Sequence, residues 1–364
     1  KINLLNNLSK SKSNVYIICI GQDIKDNKIN SKNLISCLKS ISKKIYKENI
    51  IIIRGTTQVG FCRKIAKPIL EKYSKLKAGK DFYISHMPER IVEGNALAEL
   101  ETLPQLVSGF SSKCLDEALK FSNLFFKNSV GLNTLEESEL IKLVSNSYRD
   151  LNFAFSNQIA KISNLLNLSG EKLIQKANMG YPRNLIARPS LGVGGYCLPK
   201  DTKLLEKNLF NKKADYDLGK SSRKINKDIT KFWAKKILSS IETKRAKILI
   251  FGITFKGLPE TIDIRNSPSV DLEKILNKKH KCDFFDIKGK EILRFNYKKN
   301  IILNLKNLHN YDVIIFANNN FKYQECFLKF VKKNHADSKK IIFDTASVID
   351  ESLAISYNYK YISI

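Results

Sequence analysis

The sequence predicts an α/β fold with two Rossmann-like, doubly wound parallel-sheet domains that are joined by a long central helix. Three observations lead to this prediction. Short apolar runs alternate with helix-like segments in the first third of the chain, one helical pattern fills residues 135–168, and the alternation resumes after residue 244. Such alternation is typical of parallel sheets with helices on both faces. The predicted domains are 1–134, 135–243 and 244–364.

The first domain is predicted to contain four short strands with helices between them. Continuous apolar runs that end in glycine or polar residues indicate strands buried on both faces. They occupy Val15–Ile20, Asn49–Ile53, Asp81–Ser85 and Leu103–Gly109, with helical periodicity over 33–46 and 61–76. Ligands of such sheets bind at the carboxyl ends of the strands. The residues at or just beyond those ends include Gly21, Thr56, Glu89 and Glu93.

The central helix is predicted from apolar residues that recur at helical spacing between 135 and 168. They are Leu140, Val144, Leu151, Phe155, Ile159, Ile162 and Leu166. Lys142, Asn146 and Arg149 follow at i, i+4 and i+7, which places them on one face of the helix. Such a polar stripe is usually a solvated surface, so its spacing alone assigns no function. A helix of this length also suits a connector or a dimerisation element.

The stretch with the most distinctive chemistry is Ser190-Leu-Gly-Val-Gly-Gly-Tyr-Cys-Leu-Pro-Lys-Asp201. Its glycines allow backbone conformations and close approaches that a side chain would block. Cys197 with Lys200 and Asp201 combines a nucleophile, a cation that favours the thiolate, and a base, as covalent catalysis needs. For an isolated Gly-Gly-x-Cys, a turn beside a structural cysteine is the more common explanation. The choice between a catalytic and a structural cysteine therefore depends on the other motifs of the chain.

Residues 244–364 are predicted to form the second sheet. Apolar runs indicate strands, and Pro268 opens a helix over 268–278. The strands are Lys247–Phe251, Cys282–Asp286, Asp312–Phe316 and Lys340–Asp344. Basic residues after the first of these strands would suit phosphates, although solvated loop charges are the more common explanation.

Composition limits the function classes. The net charge of +28 suggests nucleic-acid binding, but the lysines are spread along the whole chain and no helix-turn-helix, zinc-finger or RNP motif is visible. Seven dispersed cysteines and four histidines without ligand spacing favour a reducing cytoplasm over disulfides or a metal site. No apolar run reaches the roughly 18 residues of a membrane span. We therefore expect a cytoplasmic protein that binds no metal, nucleic acid or membrane.

Four sequence blocks, taken together, carry a family resemblance. They are Gly194-Gly-Tyr-Cys-Leu-Pro-Lys-Asp201, Pro88–Gly94 with Leu103–Gly109, Glu139–Asp150, and Thr254–Pro268. In order and spacing they resemble the nucleotide-sugar 6-dehydrogenase family, whose signature is Gly-Gly-x-Cys-x-x-Lys-Asp, over nearly the whole chain. The Pro-Glu-Arg and Tyr-Arg-Asp variants favour the UDP-N-acetylhexosamine branch over the UDP-glucose branch.

The resemblance has one main departure. The family's glycine fingerprint and ribose-binding acid have no counterpart in this sequence, so the first domain is expected to be truncated at its N-terminus and to lack half of its Rossmann fold. The segment Gly55–Gly60 also differs from the more usual Ser-Thr-Val-Pro-x-Gly. Two alternatives therefore stay open: UDP-glucose 6-dehydrogenase, and a catalytically inactive UDP-sugar-binding fragment.

The resemblance implies NAD-dependent, four-electron oxidation of the C6 alcohol of a UDP-sugar, in the biosynthesis of polysaccharide precursors. Cys197 would carry a thiohemiacetal and then a thioester. Lys142 and Asn146 would stabilise the developing alkoxide, with Asp201 as base or water-positioning group. The implied catalytic residues are Cys197, Lys142, Asn146, Asp201, Glu89 and Thr56.

The resemblance also implies the binding residues. The substrate contacts would be Arg90, Ile91, Arg149, Arg183, Gly194, Gly195, Phe255 and Lys256. The NAD contacts would be Gly21, Thr56, Glu93, Lys200 and Arg265. Lys200 and Arg265 would lie near the cofactor pyrophosphate, which suits a point charge or a bidentate guanidinium. A homo-oligomer, at least a dimer through the central helix, is implied, with Arg183 reaching a neighbouring subunit. The other cysteines are expected to be buried structural thiols.

Overall fold

A computed structural model describes residues 13–207, 216–295, 299–331 and 340–364. The chain divides into two compact units. The first comprises Lys1–Ser147 with Lys200–Asp215, and the second Tyr148–Pro199 with Tyr216–Ile364. Each unit contains one large sheet covered by helices, so the predicted α/β fold with two sheets is confirmed. The domain boundaries at residues 134 and 243 stay predictions.

Short strands and helices alternate up to residue 132. The strands are β1 (Val15–Ile18), β2 (Asp23–Lys25), β3 (Lys28–Asn30), β4 (Ile50–Ile53), β5 (Tyr83–His86), β6 (Gln105–Gly109) and β7 (Ser129–Leu132). The helices are α1 (Lys32–Ser42), α2 (Lys67–Ser74), α3 (Ala96–Thr102) and α4 (Ser112–Ser122), with a π-helical turn, Cys62–Ala66, before α2. The hairpin of β2 and β3 escaped prediction because its strands are short and polar. Its turn residues, Asp26 and Asn27, have the positive φ that two-residue hairpin turns require.

The sheet of the first unit has the order β1-β4-β5-β6-β7. It is parallel except at one pair, because β6 runs antiparallel to β5, with Ser85 opposite Gly109. The prediction of a wholly parallel sheet is wrong here. A parallel neighbour needs a crossover that returns the chain to the opposite edge of the sheet. The segment between β5 and β6 holds only the two turns of α3 and stays at the carboxyl edge of β5, together with Glu89 and Arg90.

The buried strands of the first unit contribute side chains to two apolar layers, one on each face of the sheet. Ile51 and Ile53 of β4 pack on one side of the sheet, among the residues of α1 and α2. Ile52 packs on the other side, with Met87 and Val107. Because successive side chains of a strand point to opposite faces, an uninterrupted isoleucine run fits a strand that is covered on both faces.

Four helices follow in the middle of the chain. They are α5 (Leu135–Leu165), α6 (Gly170–Asn178), α7 (Cys197–Lys207) and α8 (Asp217–Ser240). The predicted long helix is confirmed as α5. Several residues of its apolar stripe are partly exposed, since Val144, Phe155 and Ile162 are 45–51% exposed. The polar side chains of Glu139, Asn146, Asp150 and Asn157 are buried.

The sheet of the second unit is parallel throughout and has the order β10-β9-β8-β11-β12-β13. Its strands are β8 (Lys247–Phe251), β9 (Lys281–Phe285), β10 (Ile301–Ile302), β11 (Val313–Phe316), β12 (Ile341–Asp344) and β13 (Lys360–Ser363). The helices are α9 (Pro268–Leu276), α10 (Gly289–Leu293), α11 (Lys322–Val331) and α12 (Glu351–Ser356). Strand order reverses between β8 and β11, which is where open α/β sheets bind ligands.

Alternate residues of β8 likewise pack in two different apolar cores. Ile248 and Ile250 pack with Trp233 of α8, whereas Leu249 and Phe251 pack with the residues of α11 and α12. Among the described residues, no helix combines the length and apolarity needed to cross a bilayer.

We expect Phe316→Ala to destabilise the second unit by about 3–5 kcal/mol, because it leaves a cavity in a close-packed core. The ring of Phe316 is fully buried and lies 4.8 Å from that of Phe251, centroid to centroid. Urea unfolding followed by the fluorescence of Trp233, the single tryptophan of the chain, measures the change. Phe295→Ala, at a position 72% exposed, is the control and should change the free energy of unfolding by less than about 0.5 kcal/mol.

Candidate functional site

Asn146, Lys200 and Asp201 form a buried polar cluster in the first unit. Nδ2 of Asn146 donates a hydrogen bond of 2.6 Å to Oδ2 of Asp201. Nζ of Lys200 lies 2.6 Å from Oδ1 of the same carboxylate. All three residues are buried, and Lys142 lies one turn before Asn146 on α5. The structure thus fixes both oxygens of a buried carboxylate, an arrangement suited to holding a base or a water molecule in one orientation.

Cys197 is the first residue of α7, and it is exposed and forms no disulfide. The amino end of a helix carries a partial positive charge, which favours a thiolate over a thiol. Asp201 lies four residues further along the same helix. The helix therefore presents a nucleophile on its first turn and the fixed carboxylate on the next.

The glycines before Cys197 pack against the loop that follows β8. Gly195 has φ +78, and a Cβ there would lie 2.9 Å from the ring of Phe255. Its N–H donates to the carbonyl of Arg265, and its own carbonyl accepts from Nδ2 of Asn266, each at 2.9 Å. Both the conformation and the close approach require glycine. Gly194 and Gly195, predicted to contact substrate, are thereby held beside Phe255, another predicted contact.

Arg265 is the cation that the second unit places near the reactive cysteine. Its guanidinium binds both carboxylate oxygens of Asp263, at 2.7 and 3.0 Å, and lies 4.7 Å from the ring of Tyr196. The hydrogen bond to Asp263 raises the pKa of Arg265, and the charges of Cys197 and Tyr196 add to this. Because the attraction is mutual, Arg265 favours the thiolate of Cys197. The sequence suggested Lys200 for this role, but the ammonium of Lys200 contacts Asp201.

Glu89 is paired with an arginine that the sequence did not single out. Its carboxylate binds Arg54 and accepts the N–H groups of Arg90 and Ile91, at 2.8 and 3.0 Å. Burial raises the pKa of Glu89, but the N–H of Ile91 and the charge of Arg54 outweigh it, so that the pKa lies below its ordinary value. Glu89 is an ionised group that orders the loop after β5. The guanidinium of Arg90 donates to the carbonyl of Pro104.

The carboxyl ends of β1 and β4 offer small residues where a dinucleotide would bind. Gly21 lies so close to the backbone of Thr56 that a Cβ would be 3.1 Å from it, and the N–H of Gln22 donates to the carbonyl of Thr56 at 2.8 Å. Small residues at neighbouring strand ends let phosphate or ribose approach the backbone. Gly21 and Thr56 therefore fit a nicotinamide dinucleotide. Glu93, the third predicted contact in this unit, lies in an exposed loop.

Other predicted residues lie at exposed or half-buried positions. Arg149 and Arg183 are exposed, and the guanidinium of Arg183 lies 4.5 Å from the ring centroid of Tyr181. Nζ of Lys256 lies 5.6 Å from the ring centroid of Phe255. The expectation that the remaining cysteines are buried is correct for Cys62, Cys114 and Cys282, but Cys37 and Cys326 are half-buried and Cys19 is exposed.

Two buried titratable residues support the first unit from within. Glu139 accepts hydrogen bonds from the N–H of Cys62, at 2.8 Å, and from the N–H of Gly60. These bonds anchor the loop that carries Thr56. Burial raises the pKa of Glu139 to about 7. Nδ1 of His86 lies 2.6 Å from Oγ of Ser138, and burial lowers the pKa of His86 to about 4. Sequence patterns gave no signal for these contacts, because the partners are 52 to 79 residues apart.

Three domain models match consecutive parts of the chain. Residues 5–125 match the NAD binding domain, 136–228 the central domain and 249–351 the UDP binding domain, all of the UDP-glucose/GDP-mannose dehydrogenase family. These matches confirm the predicted family resemblance and the prediction of NAD as the cofactor. The match over residues 5–125 shows that the NAD binding domain is present, so it does not support the prediction that half of this domain is missing.

Individual relatives agree with the domain matches. UDP-N-acetyl-D-mannosamine dehydrogenase of Pyrococcus horikoshii is 32% identical over 269 residues, which are 72% of this chain and 63% of that protein. The enzyme of the same name from Methanocaldococcus jannaschii is 29% identical over 94% of this chain and 77% of its own length. The aligned part thus spans less than two thirds of the Pyrococcus relative.

Solved structures share the fold. The structure of UDP-D-ManNAc dehydrogenase from Pyrococcus horikoshii superimposes with a TM-score of 0.82 at 28% sequence identity, over 97% of this chain and 81% of that one. A UDP-N-acetyl-mannosamine dehydrogenase from Staphylococcus aureus gives a TM-score of 0.78 at 24% identity, over 96% and 80%, and shows the fold alone.

We expect acid to destabilise the first unit through His86. Because burial holds its pKa at about 4, against 6.5 in the unfolded chain, only the unfolded state gains a proton between these pH values. Above pH 6.5, His86 is neutral in both states and does not affect the free energy of unfolding. As the pH drops to 4, protonation of the unfolded chain lowers the free energy of unfolding by about 3 kcal/mol. His86→Gln should remove this loss. Urea titrations at several pH values, read by pulsed alkylation of the buried Cys62, measure it.

The control for this experiment is His309→Gln, at an exposed histidine. Glu139 is present in both variants, so its opposite contribution to the pH dependence cancels in the comparison. If the free energy of unfolding has the same pH dependence in the wild-type and His86→Gln proteins, the pKa of His86 is not lowered in the folded state.

Proposed function

The chain belongs to the UDP-glucose/GDP-mannose dehydrogenase family, and we propose that it oxidises the C6 alcohol of a UDP-N-acetylhexosamine, with UDP-N-acetylmannosamine as the favoured substrate. The observation that supports this most directly is α7, which carries the exposed Cys197 at its start and the fixed carboxylate of Asp201 one turn later. The names of the relatives from Pyrococcus horikoshii and Methanocaldococcus jannaschii support the choice of sugar.

The overall reaction converts R–CH2OH, two NAD⁺ and water into R–COO⁻, two NADH and three protons. NAD supplies the hydride acceptor for both oxidations. Cys197 adds to the intermediate aldehyde to form a thiohemiacetal, whose oxidation leaves a thioester. Hydrolysis of the thioester breaks the carbon–sulfur bond, returns the thiolate and releases the carboxylate. Covalent attachment also keeps the reactive aldehyde from escaping between the two oxidations.

The buried cluster of the first unit supplies the proton chemistry in this proposal. Lys142 and Asn146 stabilise the oxygen that becomes negative as the alcohol is deprotonated. Asp201, oriented by Asn146 and Lys200, acts as base or positions the hydrolytic water. Thr56 and the ionised Glu89 complete the polar lining at the strand ends. The hydrogen bond from Asn146 to Asp201 is the contact on which this assignment depends.

The remaining predicted residues have binding roles in this proposal. Gly21, Thr56 and Glu93 would hold NAD, with Lys200 and Arg265 near its phosphates. Arg90, Ile91, Arg149, Arg183, Phe255 and Lys256 would hold the UDP-sugar, beside the backbone of Gly194 and Gly195. A role in making polysaccharide precursors and a cytoplasmic location belong to the same proposal.

Two alternatives give different results in solution. UDP-glucose 6-dehydrogenase would reduce NAD fastest with UDP-glucose. A catalytically inactive UDP-sugar-binding protein would bind the sugar nucleotide without any turnover. Calorimetry with NAD distinguishes the second alternative further, because micromolar binding to this chain is incompatible with the loss of its cofactor site.

We expect two NADH per UDP-N-acetylmannosamine from the wild-type protein and at most one from Cys197→Ala. Without the thiol, no thiohemiacetal forms and the second oxidation lacks its substrate. NADH absorbance with limiting sugar measures the ratio, and mass spectrometry of the product distinguishes aldehyde from acid.

Cys19→Ala is the matched control, since Cys19 is also exposed and outside any disulfide. It should leave the ratio at two. Two NADH per sugar from Cys197→Ala would exclude the covalent mechanism. No NADH with any UDP-hexose or UDP-N-acetylhexosamine would exclude the function itself.

The exposed apolar stripe of α5 supports the proposed dimer. Leu140, Val144, Tyr148, Phe155 and Ile162 are spaced by four or seven residues, which places them along one side of the helix, and each is 40–58% exposed. A contiguous exposed apolar patch usually marks an interface. A second copy of the chain, pairing through the same stripe, would cover it symmetrically.

We expect Val144→Glu combined with Phe155→Glu to convert the dimer into a monomer of about 41.6 kDa. Burying two carboxylates in an apolar interface costs several kcal/mol, which is enough to prevent association at micromolar concentration. Light scattering after size exclusion measures the mass. Leu97→Glu, at a residue 81% exposed on α3, is the control and should stay dimeric. An unchanged mass for the double variant would place the interface elsewhere.

A further inference from the structure

A buried chain of polar side chains connects α5 and α8 to the segment that precedes Cys197. Asp150 and Asn157 lie on α5, and Arg223 and Asn226 on α8. Asp150, Asn157 and Asn226 are at most 2% exposed. All of these residues, the segment 190–195 and Cys197 belong to the second unit. None of the four has a role in the proposed chemistry.

The hydrogen bonds between these polar side chains all run in one direction. Nδ2 of Asn226 donates to Oδ1 of Asp150 at 2.9 Å and to its backbone carbonyl at 2.8 Å. Nδ2 of Asn157 donates to Oδ1 of Asn226 at 3.0 Å. The N–H of Ser190 donates to Oδ1 of Asn157 at 2.8 Å. We call Asp150, Asn226 and Asn157 the relay.

The carboxylate sets the direction of the relay. Asp150 can only accept, so Asn226 must turn its NH2 group towards it and its oxygen towards Asn157. Asn157 must then offer its NH2 to Asn226 and its oxygen to the N–H of Ser190. Arg223, whose Nη1 lies 3.1 Å from Oδ1 of Asp150, places a positive charge beside this carboxylate. One buried charge thus fixes the acceptor that holds a backbone N–H of the glycine segment.

Further contacts hold the same segment at neighbouring atoms. Oγ1 of Thr230 donates to the carbonyl of Leu191 at 2.8 Å. At the other end, the N–H and carbonyl of Gly195 bind Arg265 and Asn266. The backbone is therefore fixed at both ends, within two residues of Cys197 on one side.

Stability alone does not account for this arrangement. Further along α8, Ile229, Trp233 and Ile237 pack in an apolar core. Replacing buried ionic groups with well-packed apolar residues is often neutral or stabilising. The polar groups lie where α8 meets the backbone of residues 190–193. Their specific contribution is to hold that backbone in one position.

We propose that Asp150, Asn226, Asn157 and Thr230 are positioning residues for Cys197: they fix the glycine segment so that the thiol is held at the amino end of α7 and near Arg265. The importance for catalysis rests on the proposed function, whereas the effect on thiol reactivity does not. Loosening the segment takes the thiol away from the positive charge that favours its ionised form.

The test is the rate at which iodoacetamide alkylates Cys197, measured by peptide mass spectrometry in Asn157→Leu and in Thr230→Val. We expect Asn157→Leu to lower the rate about fivefold, the equivalent of one hydrogen bond, and Thr230→Val to lower it to a similar extent. Cys19 is exposed in the other unit and serves as the internal reference. The buried Cys62 and Cys282 should stay unmodified, which shows that the variants are folded.

Ser156→Ala is the matched control variant. Ser156 is buried beside Asn157 on α5, and its hydroxyl has no hydrogen-bond partner among the described residues, so its removal should leave the alkylation rate unchanged. With UDP-N-acetylmannosamine, Asn157→Leu should lower kcat by about tenfold to a hundredfold and change KM by less than about threefold, because a misplaced nucleophile affects the chemical step.

The outcomes separate the two proposals. Lower Cys197 reactivity in a protein that never reduces NAD would support the relay and overturn the proposed function. Normal turnover with unchanged kcat and unchanged alkylation of Cys197 in folded Asn157→Leu and Thr230→Val would overturn the relay and leave the function intact.

Discussion

The buried polar face of α5 is the constraint on which the candidate site depends. A helix normally buries apolar residues, but α5 buries Glu139, Asn146, Asp150 and Asn157. A buried polar group without a partner costs free energy, so each must find one. In the first unit these partners are the loop after β4 and the carboxylate of Asp201. In the second they are α8 and the segment before Cys197. One helix therefore fixes several functional segments.

Charge is distributed so that each reactive group has an opposite charge nearby. Asp201 is paired with Lys200, Glu89 with Arg54, and Arg265 with Asp263. In the third pair, the hydrogen bond to Asp263 raises the pKa of Arg265. The net charge of +28 therefore says little about the site, because the ions that matter there occur in pairs.

Most strands and helices were predictable, because apolar runs such as Ile50–Ile53 must be buried whatever their neighbours are. The direction of β6 was not, since it depends on whether the connection from β5 returns across the sheet. The apolar stripe of α5 was found from its spacing, but the exposure of several of its residues was not predictable. Periodicity shows that residues share a face, and it does not show whether that face meets the core or the exterior.

For the site, the sequence by itself determined the candidate groups: Cys197, Lys142, Asn146 and Asp201 stand in motifs whose spacing and order resemble those of one family. Only the tertiary structure decided the partners. It joined Asp201 to Asn146 and Lys200, placed Arg265 near Cys197, and connected Ser190 to Asp150 through two asparagines. Local spacing can identify a nucleophile or a base. Hydrogen bonds and charge pairs between residues 33 to 76 positions apart depend on how the helices pack, which no local pattern contains.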